Sequence, residues 1–252
     1  MATVLVVDDD TTVREVVVSY LRAAGHDVLE AADGESGLRL VTDAPPQARV
    51  DLVVLDIMLP GIDGREVCRR LRSTHRPALG PAVVMLSALG DADDRVLGLE
   101  VGADDYVSKP FSARELVLRV ESVLRRSVGG ATVPPEVLLD DDLVVDGPRH
   151  LVTLAGRPLA LTGREFDLLR FFVGHPGVAF SREELLHQVW GWSVGDHSTV
   201  TVHVRRLREK VERDPATPAR LLTVWGVGYR WQVHEPASAP DEVAHPGQVG
   251  AP

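Results

Sequence analysis

The sequence predicts an α/β chain of two domains: a doubly wound, five-stranded parallel sheet followed by a winged helix-turn-helix unit. Three observations carry that expectation. Five apolar, strand-like runs alternate with five helix-period segments within residues 1–126, and such alternation builds a parallel sheet with helices on both faces. The stretch SVGGATVPPE at 127–136 breaks the pattern as a linker would. From 137 to 233 short strands, three helices and a glycine-turned hairpin take over, and 252 residues suit two ordinary domains.

In chain order, 4–7 is a continuous apolar run of buried-strand type, and 11–23 has helical spacing that Gly25 stops. Strands follow at 27–31, 52–55, 82–86 and 106–107, with helices at about 34–43, 64–72, 92–101 and 112–126. Functional groups of such a sheet belong at the carboxyl ends of its strands. The second domain, 137–233, begins with short strands at 143–146, 150–154 and 158–160. Two of its helices open on capping boxes, Thr162-Gly-Arg-Glu165 and Ser181-Arg-Glu-Glu184, the second running to 190. The third, 198–213, stripes Val200, Val204, Leu207 and Val211 along one face, and a hairpin at 221–233 turns on Gly226-Val227-Gly228. Residues 234–252 read as a disordered tail.

Composition excludes several classes. Gly and Pro contents of 22 and 17 are too low for a fibrous or low-complexity chain. The single cysteine, Cys68, allows neither an internal disulfide nor a cysteine-cluster metal site. No stretch resembles a secretory signal or reaches the length of a membrane span, so a cytoplasmic location without membrane attachment is expected. The net charge of −10 argues against nucleic acid as a partner when taken whole. Divided along the chain it reads differently. Residues 1–126 carry −6, 127–146 carry −5 and the tail −3, whereas 147–233 holds 12 basic against 8 acidic side chains, a locally basic unit between acidic segments.

In the first domain acids fall at strand ends: Asp8 and Asp9 after the first strand and Asp56 after the third. On a parallel sheet these converge on one rim, repel, and call for a cation. Hard oxygen donors with open positions favour Mg²⁺. Ser87 and Lys109 end the next two strands and supply a hydroxyl and a positive charge. Together these groups describe phosphoryl transfer onto a carboxylate. Each has a plainer reading alone: Asp8–Asp10 suits a helix cap, and Pro60-Gly61 with Asp63-Gly64 suits a turn.

The segments VVDDD, VVLDIMLPGIDG, MLSA and GADDYVSKPF resemble the receiver domain, of flavodoxin-like fold, of two-component response regulators. The resemblance implies that a sensor histidine kinase phosphorylates Asp56. It implies Mg²⁺ held by Asp9, Asp56 and the Met58 main-chain carbonyl, with Asp8 acting through water. Ser87 and Lys109 would bind phosphoryl oxygens, Tyr106 would be the switch aromatic, and Lys109-Pro110 would be cis. Met58 and Leu89 flank the place where water must attack, so slow self-dephosphorylation is expected. The motif Asp8-x-Asp10-x-Thr12 with the acids of 90–94 also fits haloacid-dehalogenase-type phosphatases. In those enzymes the lysine precedes the acidic motif, whereas Lys109 follows it, and Asp56 and the second domain would have no role. The chain is therefore expected not to be an enzyme.

The order of a helix, an arginine-bearing helix and a hairpin is that of a winged helix, whose third helix enters the major groove. The stretches LTGREFDLL, SREELL, TVTVHVRRLREKV and TVWGVGYRW resemble the effector domain of the OmpR/PhoB family. By that resemblance Arg206 and Val202 read bases of promoter DNA, Arg to guanine and Val to a thymine methyl. Ser198, Thr199, His203, Arg205, Arg208 and Thr223 contact phosphates. The loop 190–197 faces RNA polymerase. Trp225 stands at a wing-tip position often held by a minor-groove arginine, Ser198 where an arginine is common, and Thr201 where an aspartate is usual. Lost arginines flatten the salt dependence of binding, so weak monomer binding that relies on dimerisation is expected. Phosphorylated receivers of the family pair through the fourth helix, fifth strand and fifth helix. By that resemblance Arg95, Glu100, Asp104, Asp105, Glu115, Arg119 and Arg126 would carry that role here, with Arg95–Glu115 and Asp105–Arg119 as the expected cross-subunit pairs.

Overall fold

The computed structural model describes residues 1–45, 48–74, 80–88, 101–127, 137–192 and 197–233. Residues 92–100 of the expected helix 92–101, all of the linker except Ser127, and the tail 234–252 lie outside them.

Strands β1 (Thr3–Val7), β2 (Asp27–Ala31), β3 (Leu52–Asp56), β4 (Ala82–Ala88) and β5 (Asp105–Lys109) form one sheet in the order β2-β1-β3-β4-β5. Every neighbouring pair is parallel. Because side chains alternate across a strand, Val4, Val6, Leu52 and Val54 enter the core beneath α1 (Thr11–Ala23) and α4 (Ala113–Ser127). Leu5, Val7, Val53 and Leu55 enter the opposite core with Val41 of α2 (Gly34–Thr42) and Val67 and Leu71 of α3 (Gly64–Thr74). Each such buried aliphatic side chain contributes about 1.5–3 kcal/mol. The pairings Asp56↔Leu86, Ser87↔Ser108 and Ala88↔Lys109 bring the ends of β3, β4 and β5 level, and so set the rim.

The second domain opens with a four-stranded antiparallel sheet in chain order: β6 (Val137–Asp140), β7 (Leu143–Asp146), β8 (Leu151–Leu154) and β9 (Arg157–Pro158). Strand β6 has no periodicity of its own to announce it. It forms because β7 offers a partner and because the Asp140 carboxylate accepts the Trp231 indole N–H at 2.8 Å. Next come α5 (Gly163–Val173), β10 (Ala179–Ser181), α6 (Arg182–Leu185), α7 (Ser198–Val211), β11 (Leu221–Val224) and β12 (Gly228–Trp231). The capping boxes at Thr162 and Ser181 are both formed. The helix expected over 181–190 widens into a π-helical turn from Leu186 to Trp190, closed by Gly191 at φ 73°. Strand β10 joins the hairpin as the order β10-β12-β11. Trp190, Trp231 and Phe172 are fully buried in the core around Val200, Val204, Leu207 and Val211. Among the described residues no helix is long and apolar enough to cross a membrane.

Candidate carboxylate site and nucleic-acid interface

The acidic triplet divides into three jobs. Asp10 caps α1, accepting the N–H groups of Thr12 and Val13 at 2.8 and 3.2 Å. Asp8 is fully buried, and its carboxylate accepts from the Asp10 N–H at 2.9 Å and from Lys109 Nζ at 2.8 Å. Asp9 is exposed, yet carboxylate oxygens of Asp8, Asp9 and Asp56 lie within 4.8 Å of one another. Lys109 Nζ also stands 3.2 Å from Asp56 Oδ1. Ser87 is buried one register step beyond the Asp56–Leu86 pair, and Lys109-Pro110 is cis. Three carboxylates against one ammonium leave an excess of hard, anionic oxygen, a donor set that fits a divalent cation.

Burial pushes the Asp56 carboxyl up from its ordinary range, and the charges of Asp8 and Asp9 add to this against the pull of Lys109. For Lys109, burial would lower the pKa, but the Asp8 hydrogen bond and the charges of Asp56 and Asp8 outweigh it and the group is raised. The loop after Asp56 is pinned by Ile57 N–H to Leu86 O (3.0 Å), Leu59 N–H to Ile57 O (3.1 Å) and Gly64 N–H to Ile57 O (2.9 Å). This holds the Met58 main chain at the rim while its side chain, 69% exposed, points to water. Tyr106 is buried.

On α7, Arg205 is exposed and Ser198 half-buried. Arg208 donates to Leu221 O and Thr223 Oγ1 at 2.9 and 2.8 Å, which ties the helix to the wing. Thr199, Val202, His203 and Arg206 are buried. Arg206 pairs with Glu165 at 2.6 Å, and His203 shares a 2.8 Å hydrogen bond with Thr199 O and lies edge-on to Trp190. Trp225 stands 91% exposed at the wing tip. Sequence reasoning missed Arg182. At the start of α6, its guanidinium reaches Thr201 Oγ1 (3.3 Å) and the Tyr229 hydroxyl (3.2 Å), and it shares the Tyr229 ring with Arg208. Its position directly after a capping serine on the helix preceding α7 was the available signal.

The first domain covers Val202 on the α7 face. Val202 belongs to the same apolar cluster as Tyr106, Cys68 and Leu71. The Ser122 hydroxyl of α4 donates to Trp190 O at 2.5 Å, and the Arg119 guanidinium lies 4.3 Å above the Trp192 ring. Arg119 also pairs with Asp105 at 3.5 Å and Glu115 at 2.9 Å within the chain. Asp104 is buried and accepts from Arg72 (2.7 Å) and the Val83 N–H (2.8 Å). Arg95, Glu100, Leu89 and the Arg126 side chain lie outside the described residues, as do 193–196 of the loop after Trp190.

Comparison with known proteins agrees with both halves. Residues 4–121 match the response regulator receiver domain, and 156–231 match the family described as transcriptional regulatory protein, C terminal. The DNA-binding response regulator MtrA of Mycolicibacterium smegmatis is 47% identical over 228 residues, covering 90% of this chain and 95% of that protein. The alkaline phosphatase synthesis transcriptional regulatory protein SphR of Synechococcus elongatus is 43% identical over 233 residues, covering 90% of each. A solved structure of a RitR mutant shares the fold with a TM-score of 0.72 at 24% identity, covering 93% of this chain and all of that one. A carboxylate-and-lysine rim on a parallel five-stranded sheet, joined to a winged helix and matched along nine-tenths of its length, places the chain in the DNA-binding response regulators of the OmpR/PhoB type.

Proposed function

We propose that this regulator is switched by phosphorylation of Asp56 by a sensor histidine kinase in the cytoplasm, and that the switch releases α7 to bind promoter DNA as a dimer. The observation that carries the reading is the convergence of Asp8, Asp9, Asp56 and Lys109. An Asp56 carboxylate oxygen bonds to phosphorus as the bond to the donor's imidazole nitrogen breaks, the electron pair leaving with the imidazole. Lys109 and Ser87 bind the phosphoryl oxygens. Asp9, Asp56 and the Met58 carbonyl, with Asp8 through water, would hold Mg²⁺, which when bound neutralises charge on the phosphoryl oxygens.

The phosphoryl group adds about −1.5 to −2 charge. Ser87 and Tyr106 move toward it, and Tyr106 thereby leaves the cluster it shares with Val202. The freed face, with Arg119 and Glu115, pairs with a second copy, two winged helices align on tandem half-sites, and the loop 190–197 faces RNA polymerase. Arg206 and Val202 read bases, while Ser198, Thr199, His203, Arg205, Arg208, Thr223 and also Arg182 bind phosphates.

Incubation with acetyl phosphate and Mg²⁺, followed on Phos-tag gels and a sizing column, tests this. The wild type is expected to gain a retarded band and an earlier-eluting dimer, and Asp56→Asn to gain neither. An equal band in Asp56→Asn would overturn the assignment. The exposed Met58 side chain at the rim supports slow loss of the phosphoryl group, and a half-life on the order of seconds to a minute in Mg²⁺ buffer would contradict it.

A further inference from the structure

Apart from the N-terminal Met1, Trp225 is the most exposed large apolar side chain among the described residues, at 91%, and its neighbour Val227 is 48% exposed. The other tryptophans are covered: Trp190 and Trp231 are fully buried, and Trp192 lies partly buried under the Arg119 guanidinium. The fold therefore gives Trp225 no packing role.

The hairpin that carries it is held firmly. Val224 pairs with Gly228, the Val227 N–H bonds to Val224 O at 3.0 Å, and Gly226 turns the tip at φ 76°. Gly228 lies so close to β10 that a Cβ there would sit 2.0 Å from the Phe180 carbonyl oxygen, so the wing is fastened at its base. The sides of the same hairpin are cationic. Thr223 accepts from Arg208, and Arg182 and Arg208 both lie over the Tyr229 ring. The surface thus runs from guanidinium groups at the base to an uncharged indole at the tip. Duplex DNA presents the matching sequence of features: phosphates on its ridge, then sugars and base edges within the groove.

We propose that Trp225 is a minor-groove wedge whose indole enters beside the α7 site, packs on sugars and base edges, and partly unstacks one base step. This rests on the reading of α7 and its wing as the DNA interface. An arginine at this tip would seek the negative potential of a narrow A-tract groove. An indole gains nothing from that potential and does best at a step that unstacks readily, TA or CA/TG. One flank of the operator would then be read through deformability rather than charge.

The test uses the full-length protein, with and without acetyl phosphate and Mg²⁺, and a duplex it recovers from a random-sequence pool. Each flanking step of that duplex is replaced in turn by TA, AA or GC, and 2-aminopurine is placed at the step that matters. The wild type is expected to prefer TA at one flank and to raise the 2-aminopurine signal there. Trp225→Ala should lose about tenfold in affinity and that flank preference, with the major-groove preference and thermal unfolding unchanged. Trp225→Arg should regain affinity, favour AA runs and steepen the salt slope by about 0.9. Unchanged flank preference and 2-aminopurine signal in Trp225→Ala would overturn the wedge alone, as would a uniform loss on every duplex. Failure of the wild type to recover any duplex would overturn the DNA interface and the wedge with it.

Discussion

Gly64 keeps the carboxylate rim in order by lacking a side chain. A Cβ at this position would lie 2.1 Å from the Asp56 carbonyl oxygen, and since both partners are backbone neither can swing aside. Gly64→Ala is expected to destabilise the first domain by about 1–3 kcal/mol and to slow phosphoryl uptake, read by urea denaturation and by Phos-tag gels. A variant with wild-type midpoint and uptake would show that the loop relaxes freely. At this scale the residue types were legible in sequence but their division of labour was not. Three consecutive aspartates supply a cap, a buried lysine partner and an exposed carboxylate at the rim because β1 ends between Val7 and Asp8 and α1 begins at Thr11. Spacing alone does not tell those positions apart.

Helix α5 shows how an element carries more than its local pattern announces. Thr162 and Glu165 were readable as a capping box, and the Glu165 carboxylate does accept the Thr162 N–H at 2.8 Å. The same carboxylate, fully buried, also pairs with Arg206 at 2.6 Å and Lys210 at 2.5 Å, so it sets the α7 arginine in place. Burial pushes its pKa up, but Arg206 and Lys210 outweigh that and hold it below the ordinary range. A depressed carboxylate contributes stability that is present above the unfolded value, near 4.5, and is lost as pH falls through the folded one. Glu165→Gln should cost about 3 kcal/mol at pH 7 by leaving two cations without their anion. The difference from wild type should narrow as pH falls below 4.5, as followed by chemical denaturation. A pH-independent difference would mean that the cost is packing alone. The helix itself was readable because caps and periodicity are local. Its tie to α7 joins residues far apart along the chain, which no window of sequence contains.

For the whole molecule, the closed arrangement places two titrating groups in opposition. Burial, with the Arg206 charge adding, pushes His203 down to about 4, despite the Thr199 hydrogen bond and the charges of Glu165 and Asp104. Burial pushes Asp105 up to about 6 against Arg119 and the Tyr106 N–H. A lowered histidine contributes stability that is complete above its ordinary 6.5 and is lost as pH falls toward 4, while a raised aspartate contributes stability that is lost as pH rises through 6. The two partly cancel in the wild type. The comparison with His203→Phe isolates the first: the wild type's stability relative to the variant should fall by about 2 kcal/mol between pH 7.5 and 5. A flat difference would refute the buried neutral imidazole.

The Arg119 guanidinium lies on Trp192 and pairs with Glu115 within the chain, so in the proposed switch it must leave this contact before its face can pair with a second copy. Trp192→Ala removes a cation–π contact of about 1 kcal/mol. It should raise DNA affinity of the unphosphorylated chain roughly fivefold, measured by anisotropy on a selected duplex, and unchanged affinity would show that this contact does not hold the closed state.

The amino-acid sequence by itself determined the two fold classes and the set of chemical groups at the strand ends. Hydrophobic period, capping boxes and turn residues act within a few positions, and a parallel sheet carries strand ends to one rim. Only the tertiary structure decided that Lys109 reaches Asp8 across a hundred residues and that Asp105 meets Arg119 within one chain. It alone decided, too, that Val202 and Arg206 are covered. Those outcomes depend on how distant elements pack, where burial, charge and shape are settled together rather than along the chain.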